Sequence, residues 1–341
     1  MDFTTCLLEQ MKRHPAMQPR DVLKLCYQAA RGAEHLLADT ARARAWFDQE
    51  YAATPADGVL PLFEPISGHV ARVNIAAWKA ANLPADWLFR MFVHTAGVPM
   101  GGAELLNQYI DEAAAVVSAM PGWADELAAW RESGMPAVHH SEAYRAAEKP
   151  AYRIVNRLFA CILPLLQRLN AQQDVRVIAL DGRAASGKTT KAALLGAVLE
   201  APVIHMDDFF LPPALRTPER LSQPGGNVDY ERFAAEVLPG LTSGEDFSYR
   251  IFDCGRMDFD GVREVPAAPI RIVEGSYAHH PALADYADLR VFSTVETDEQ
   301  MARILLRNGE RMAEIFRTRW IPMEEKYFAA FDVRGRAHLC L

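Results

Sequence analysis

Gly182-Arg183-Ala184-Ala185-Ser186-Gly187-Lys188-Thr189 has the spacing G-x-x-x-x-G-K-[ST], and each fixed position has a physical reason. The glycines let the backbone curl, so that the amides of Ala184, Ala185, Ser186 and Gly187 can face phosphate oxygens. A helix expected to begin there adds the unsatisfied N–H groups of its first turn, through Thr190, and the positive end of its dipole. Lys188 is placed to reach the outer phosphates, and the Thr189 hydroxyl to bind Mg²⁺. The chemistry this predicts is binding of ATP or another nucleoside triphosphate with its magnesium ion.

Two acids further along extend that chemistry. Asp207 stands in His205-Met206-Asp207-Asp208-Phe209-Phe210, and Glu274 closes the run Ile270-Arg271-Ile272-Val273-Glu274-Gly275. A carboxylate beside bound phosphates can take a proton from an attacking hydroxyl or hold Mg²⁺. A capping Asp pair and a surface Glu at a strand end are the plainer alternatives. Arg303, Arg307 and Arg311 recur at four-residue steps, which on a helix sets them on one face, able to close over a polyphosphate. A solvated face paired with Glu299, Glu310 and Glu314 is the alternative there. Arg216, Arg220 and Gly225-Gly226 lie in a Pro- and Gly-rich loop long enough to cover an acceptor. The adjacent pairs His139-His140 and His279-His280 lack metal-ligand spacing. The second pair follows Glu274 closely enough to line a pocket.

The elements that must position these residues change character near 165–174. Before it, apolar residues fall at helical spacing over Asp21 to Leu37 and Ala103 to Met120,. Tyr152 to Leu169 reads as a further helix bent at Pro164, and Pro- and Gly-bearing stretches such as Thr54 to Gly68 read as loops. After it, short β-branched runs read as strands at Val175–Leu180, Pro202–Met206, Ile270–Val273 and Leu289–Val295, with a last one at His338–Leu341. Helical stretches at Thr189–Leu199, Tyr230–Leu238 and Glu299–Phe316 separate them. Alternating strands and helices predict an α/β fold, a parallel sheet with helices on both faces. The expected organisation is a mainly helical domain over 1–170 and a nucleotide-binding domain over 171–341.

Composition narrows the setting. The 341 residues carry a net charge of −8, half are hydrophobic, and 23% are charged, which excludes a disordered chain. The acidic balance argues against a nucleic-acid partner or an anionic membrane. The apolar run Leu158–Leu166, broken by Pro164, is too short to span a bilayer. Five scattered cysteines without a C-x-x-C pair suggest neither disulfides nor zinc, and a reducing cytoplasm is the expected location. A homo-oligomer is compatible with all of this.

Together these residues resemble the uridine kinase and phosphoribulokinase family of phosphate-loop kinases, over about Val175 to the end. A bacterial uridine kinase-like branch is similar in MDDFFLPPALRTPERLSQPGGNVDYERF, IVEGSYAHHP and WIPMEEKYF. The resemblance implies that Asp207 is the catalytic base, with Asp208 in a variable place. It implies Mg²⁺ ligands at Thr189, Asp207 and Glu274, and lid arginines at Arg307 and Arg311. It further implies sugar contacts from Asn227-Val228-Asp229-Tyr230, chiefly Asp229 with Tyr230 beside it, and a base contact from Phe252 in Phe252-Asp253-Cys254. The resemblance leads to the expectation of a kinase transferring phosphate to a hydroxyl of a nucleoside-like or sugar-like small molecule. A regulatory protein or ATPase whose N-terminal half reads the nucleotide state is the alternative. That half holds no chemical motif, and Trp78, Trp87 and Trp123 read as core.

Overall fold

The computed structural model describes residues 2–33, 39–98, 101–172 and 174–341. The chain divides into two compact units, Met1–Ala160 and Cys161–Leu341.

The first unit is mainly helical. Helix Pro19–Arg31 buries Val22, Leu25, Cys26 and Ala29, the face its spacing predicts,; the continuation expected to Leu37 runs into residues 34–38, outside the described residues. Helix Ala103–Val117 buries Leu106, Tyr109, Ile110, Ala113 and Val117. The sequence reading missed a three-stranded antiparallel sheet of β1 (Phe63–Pro65), β2 (Val70–Asn74) and β3 (Tyr152–Asn156), with β2 central. It corrects two expectations. The stretch Thr54–Gly68 is not all loop. Tyr152–Leu169 is not one bent helix but β3, a tight 3-10 turn at Arg157–Ile162 and a helix at Leu163–Ala171. Pro164 stands in the first turn of that helix, where its missing N–H costs nothing, so it starts the helix instead of bending one,. Trp78 and Trp123 are core residues, as their aromatic bulk suggests.

The second unit is an α/β fold. Its sheet contains β4 (Val177–Gly182), β5 (Val203–His205), β8 (Arg271–Glu274), β9 (Leu289–Ser293) and β10 (Leu339–Cys340). Between β5 and β8 the chain forms a separate antiparallel hairpin, β6 (Phe247–Asp253) and β7 (Asp258–Val265). The sheet order is β10-β9-β4-β8-β5, and every neighbouring pair is parallel. Alternate residues face opposite ways. Val177, Ala179, Ile204, Val273 and Phe292 share one core with Phe233, Leu241, Tyr327 and Phe328 from helices on that face. Helix Lys188–Leu199, which buries Ala192, Leu194, Leu195 and Val198, packs on β4, β5 and β8. Each fully buried aliphatic or aromatic side chain contributes roughly 1.5–3 kcal/mol. Among the described residues no helix is long and apolar enough to cross a membrane.

The register sets the functional edge. Glu274 at the end of β8 pairs with Leu180 of β4 on one side and with His205 of β5 on the other. The carboxyl ends of three adjacent strands therefore meet at one rim, where ligands of open α/β sheets bind.

Candidate functional site

The loop 182–187 joins β4 to helix Lys188–Leu199 through two residues no ordinary side chain would suit. Gly182 has φ +136°, and a Cβ there would lie 1.9 Å from the Ser293 carbonyl oxygen. Gly187 has φ +86° and caps the helix. Asp181, fully buried just before the loop, fixes its base. It accepts from the backbone N–H groups of Gly182, Tyr277 and His279 and from the Tyr327 hydroxyl. Lys191 braces the far side, donating to the Ser186 carbonyl and to Ser293 Oγ, both at 2.8 Å. Sequence reasoning missed Asp181 and Lys191; their only signal is that they flank the loop.

A cavity of about 710 Å³ opens above the loop,. Ala184, Ala185, Gly187, Lys188, Thr189 and Thr190 form its floor, and the first turn of the helix leaves N–H groups without intrahelical partners there. Lys188 is buried and donates to the carbonyls of Gly182 at 2.7 Å and Arg183 at 2.9 Å. Ser186 is buried against the loop and does not line the cavity. Thr189 Oγ1 lies 3.1–3.2 Å from both oxygens of Glu274. Glu274 Oε1 also meets His205 Nδ1 at 2.6 Å, and this contact, outweighing burial, holds the imidazole above its usual pKa.

Asp207 and Asp208 are separated by their surroundings. Asp208 is buried and accepts from the Tyr249 hydroxyl at 3.0 Å and Arg263 Nε at 3.2 Å, so the β6–β7 hairpin grips it. Asp207 lines the cavity. Crowding by protein atoms and the nearby charge of Glu274 push its carboxyl above the ordinary range, against Lys188 and His205. Its side chain is exposed within the cleft, so that desolvation stays partial until a ligand fills the space.

The helix Thr297–Ile315 forms the opposite wall, but not as the four-residue spacing predicts. Gly309 (φ 75°, ψ 171°) breaks the helix between the second and third arginines, so the stripe loses its phase. Arg303 and Arg307 line the cavity; Arg311 does not, and Arg319, from the wider turn Phe316–Trp320, lines it instead. Arg303 also donates to the Ala185 carbonyl at 3.1 Å.

The structure gives Asp229, Tyr230 and Phe252 other work. Asp229 caps helix Tyr230–Glu236, accepting from Arg232 N at 3.0 Å, and pairs with the Arg232 guanidinium. Tyr230 is sandwiched between His280 and the Arg220 guanidinium. Phe252 is buried against Phe259. None of the three lines the cavity, and neither do His279 and His280. Their neighbours do: Asn227, Cys254 and Met257. Sequence reasoning also missed Ser276, Tyr277, Trp320, Met323 and Glu324. Glu324 reaches the loop, accepting from Ala184 N at 2.9 Å and from Ser276 Oγ; burial, against the pull of Lys188, raises its carboxyl pKa.

The oxygen donors suit a small hard cation. Thr189, Glu274 and Asp207 face one space, and the two carboxylates repel each other there. No cluster of three or more His, Cys, Asp or Glu side chains able to hold a metal is found among the described residues. Magnesium sites built on one or two carboxylates, waters and ligand phosphates need no such cluster.

No family model and no curated protein matches the chain. Solved structures do, over about half of the chain. A protein from Bacillus stearothermophilus described as a possible uridine kinase aligns at 20% identity and TM-score 0.43, covering 54% of this chain and 98% of its own. A protein from Silicibacter sp. TM1040, described as a candidate fructose transport system kinase, aligns at 24% identity and TM-score 0.41 with the same coverages. By its own strand order and loop, the second unit has a phosphate-loop α/β fold.

Proposed function

We propose that the protein is a kinase that transfers the γ-phosphoryl group of ATP, or of another nucleoside triphosphate, to a hydroxyl of a small nucleoside-like or sugar-like acceptor. The observation that carries this reading is the separation of the Asp pair: Asp208 is spent on Tyr249 and Arg263, while Asp207 stands in the cavity beside Glu274 and Lys188. Transfer to an alcohol needs a carboxylate free to meet the acceptor hydroxyl, and Asp207 is so placed,.

In this reading Lys188 and the loop amides hold the phosphates. Thr189, Glu274 and Asp207 would hold magnesium, which supplies neutralisation of charge on the phosphates. Asp207 orients the acceptor hydroxyl and takes its proton. His205 holds the Glu274 carboxylate in place. Arg303, Arg307 and Arg319 face the phosphates from the opposite wall and stabilise charge that develops in transfer. Trp320, Phe316 and Met323 exclude water, which suppresses hydrolysis.

The test is ATP consumption measured with and without a panel of nucleosides, sugars and their derivatives, with product identified by mass. Acceptor-stimulated consumption with a phosphorylated product supports the reading. Acceptor-independent hydrolysis, or binding without turnover, overturns it in favour of a nucleotide-reading regulator.

A further inference from the structure

The arginine wall of the cavity carries a pair of residues with covalent chemistry of its own. Asn308-Gly309 lies directly after Arg307, whose side chain lines the cavity. Glycine follows asparagine nowhere else in the chain: each of the other six asparagines precedes a residue that carries a side chain. With no Cβ on the following residue, nothing shields its backbone nitrogen from the asparagine side-chain carbonyl. Both residues are exposed. Gly309 (φ 75°, ψ 171°) has left the helical range, and no more distant part of the chain lies within 4 Å of where a Cβ on it would stand. The nitrogen can therefore turn toward the side chain without unpacking anything.

The side chain is also held ready. Arg307 Nε donates to Asn308 Oδ1 at 2.9 Å. A guanidinium on that oxygen draws electrons from the amide carbon and stabilises the negative charge the oxygen acquires when a nucleophile adds. The reaction this favours is deamidation. The Gly309 nitrogen loses its proton to a buffer base and bonds to Asn308 Cγ. The Cγ–Nδ2 bond breaks, and the amide nitrogen takes up a proton and leaves as ammonia. Water then adds to one of the two carbonyls of the cyclic imide and opens it, giving aspartate or β-linked isoaspartate. Water is consumed, ammonia is released, and nothing is oxidised or reduced.

We propose that Asn308 is a self-modifying site, deamidated by attack of the Gly309 nitrogen with the help of Arg307, and that the modification disarms the arginine wall. The new carboxylate forms where the Arg307 guanidinium already rests, so the arginine gains a fixed counter-ion. In isoaspartate the main chain also gains a methylene beside the break at Gly309. Either product draws Arg307 away from ligand phosphates. The covalent chemistry stands apart from the kinase reading; its consequence rests on the part of that reading that puts the nucleotide's phosphates in the cavity.

Peptide mapping by mass tests it. The folded full chain is held for days in mildly alkaline buffer made with heavy-oxygen water. The peptide containing Asn308 should take up a heavy oxygen as NH₂ becomes OH, and become a substrate for isoaspartate methylation. It should do so roughly tenfold or more faster than the peptides of the other six asparagines,. Arg307→Ala should slow the conversion about tenfold in the folded chain and leave it unchanged in urea, which separates the placed guanidinium from an effect of sequence alone. Asn308→Gln, whose side chain is one carbon too long for the ring, should stop it. Asn308→Asp, with an unchanged melting temperature showing that it folds, should weaken MgATP binding severalfold, as Arg307→Ala does. No conversion at Asn308, or conversion no faster than at the other asparagines, overturns the proposal, as does an equal rate in folded Arg307→Ala. Wild-type MgATP affinity in Asn308→Asp overturns the disarming of the wall. With the expected results in hand, a chain that phosphorylates no acceptor would overturn the kinase reading alone.

Discussion

The Thr189 hydroxyl donates to the Glu274 carboxylate at 3.1 Å although 85 residues separate them. Neither can leave its place cheaply. Thr189 is fixed in the first turn of the phosphate-loop helix, and Glu274 is locked between two parallel neighbours by register with Leu180 and His205. Their contact is the point at which the loop and the second acidic strand end become one site.

Gly182→Ala is expected to be severe. The added Cβ would meet the Ser293 carbonyl oxygen at 1.9 Å at a φ of +136°, so either the loop or β9 must move. The expected loss of stability is on the order of 3 kcal/mol, read as a lower denaturation midpoint, with nucleotide affinity lost as well. A variant of native stability that binds ATP normally would contradict the described loop.

Arg307→Ala and Arg311→Ala should separate cleanly. Arg307 lines the cavity and Arg311 does not, because Gly309 interrupts the helix between them. We expect Arg307→Ala to lower kcat by about 10²-fold and Arg311→Ala to change it by less than twofold. Equal losses in steady-state assays would mean that the helix runs unbroken when the site is loaded.

Asp208→Ala should act through structure. It strands the Tyr249 hydroxyl and the Arg263 guanidinium, both now bonded to it, at a cost of roughly 1–3 kcal/mol. Because it releases the turn that carries Asp207, turnover should fall together with thermal stability. Tyr249→Phe, which removes one of the two donors, should show a smaller version of both effects.

The first unit carries its own pH dependence. Burial lowers the His140 pKa to about 4 despite its contact with Asp21. The folded state therefore binds fewer protons there than the unfolded chain, and stability falls as pH drops from about 6.5 to about 4,. His14 is opposite. Burial would lower it, but Glu64 and Glu148 outweigh burial and raise its pKa, so its contribution is present below about pH 6.5 and lost as pH rises through the raised value. The denaturation midpoint of residues 1–160, followed within the full chain by hydrogen exchange, should peak near pH 6.5. His140→Phe should flatten the acid side, and a midpoint unmoved across that range would contradict the assignment.

What could be read in the sequence was what lies close together along the chain. The loop 182–189 declares itself because its chemistry sits in eight consecutive residues, and Asp207 and Glu274 because each closes a β-branched run. The break at Gly309 was also written there, in the turn-forming dipeptide Asn308-Gly309, but the regular arginine spacing hid it. Within Asn227-Val228-Asp229-Tyr230 it is Asn227 that lines the cavity, while Asp229 caps the following helix. Arg216, Tyr277 and Glu324 were not legible, since their positions depend on where distant segments return to the rim. The β6–β7 hairpin was missed because β7 is mostly exposed and carries Gly261, which leaves almost no alternation to read.

The measurement that tests the central claim most directly is a comparison of wild-type protein with Asp207→Asn, following MgATP binding by titration and phosphorylated acceptor by mass. The account predicts that the variant still binds MgATP, within about tenfold of wild type, and loses at least about 10³-fold in product formation. A variant that keeps near-normal turnover would contradict it.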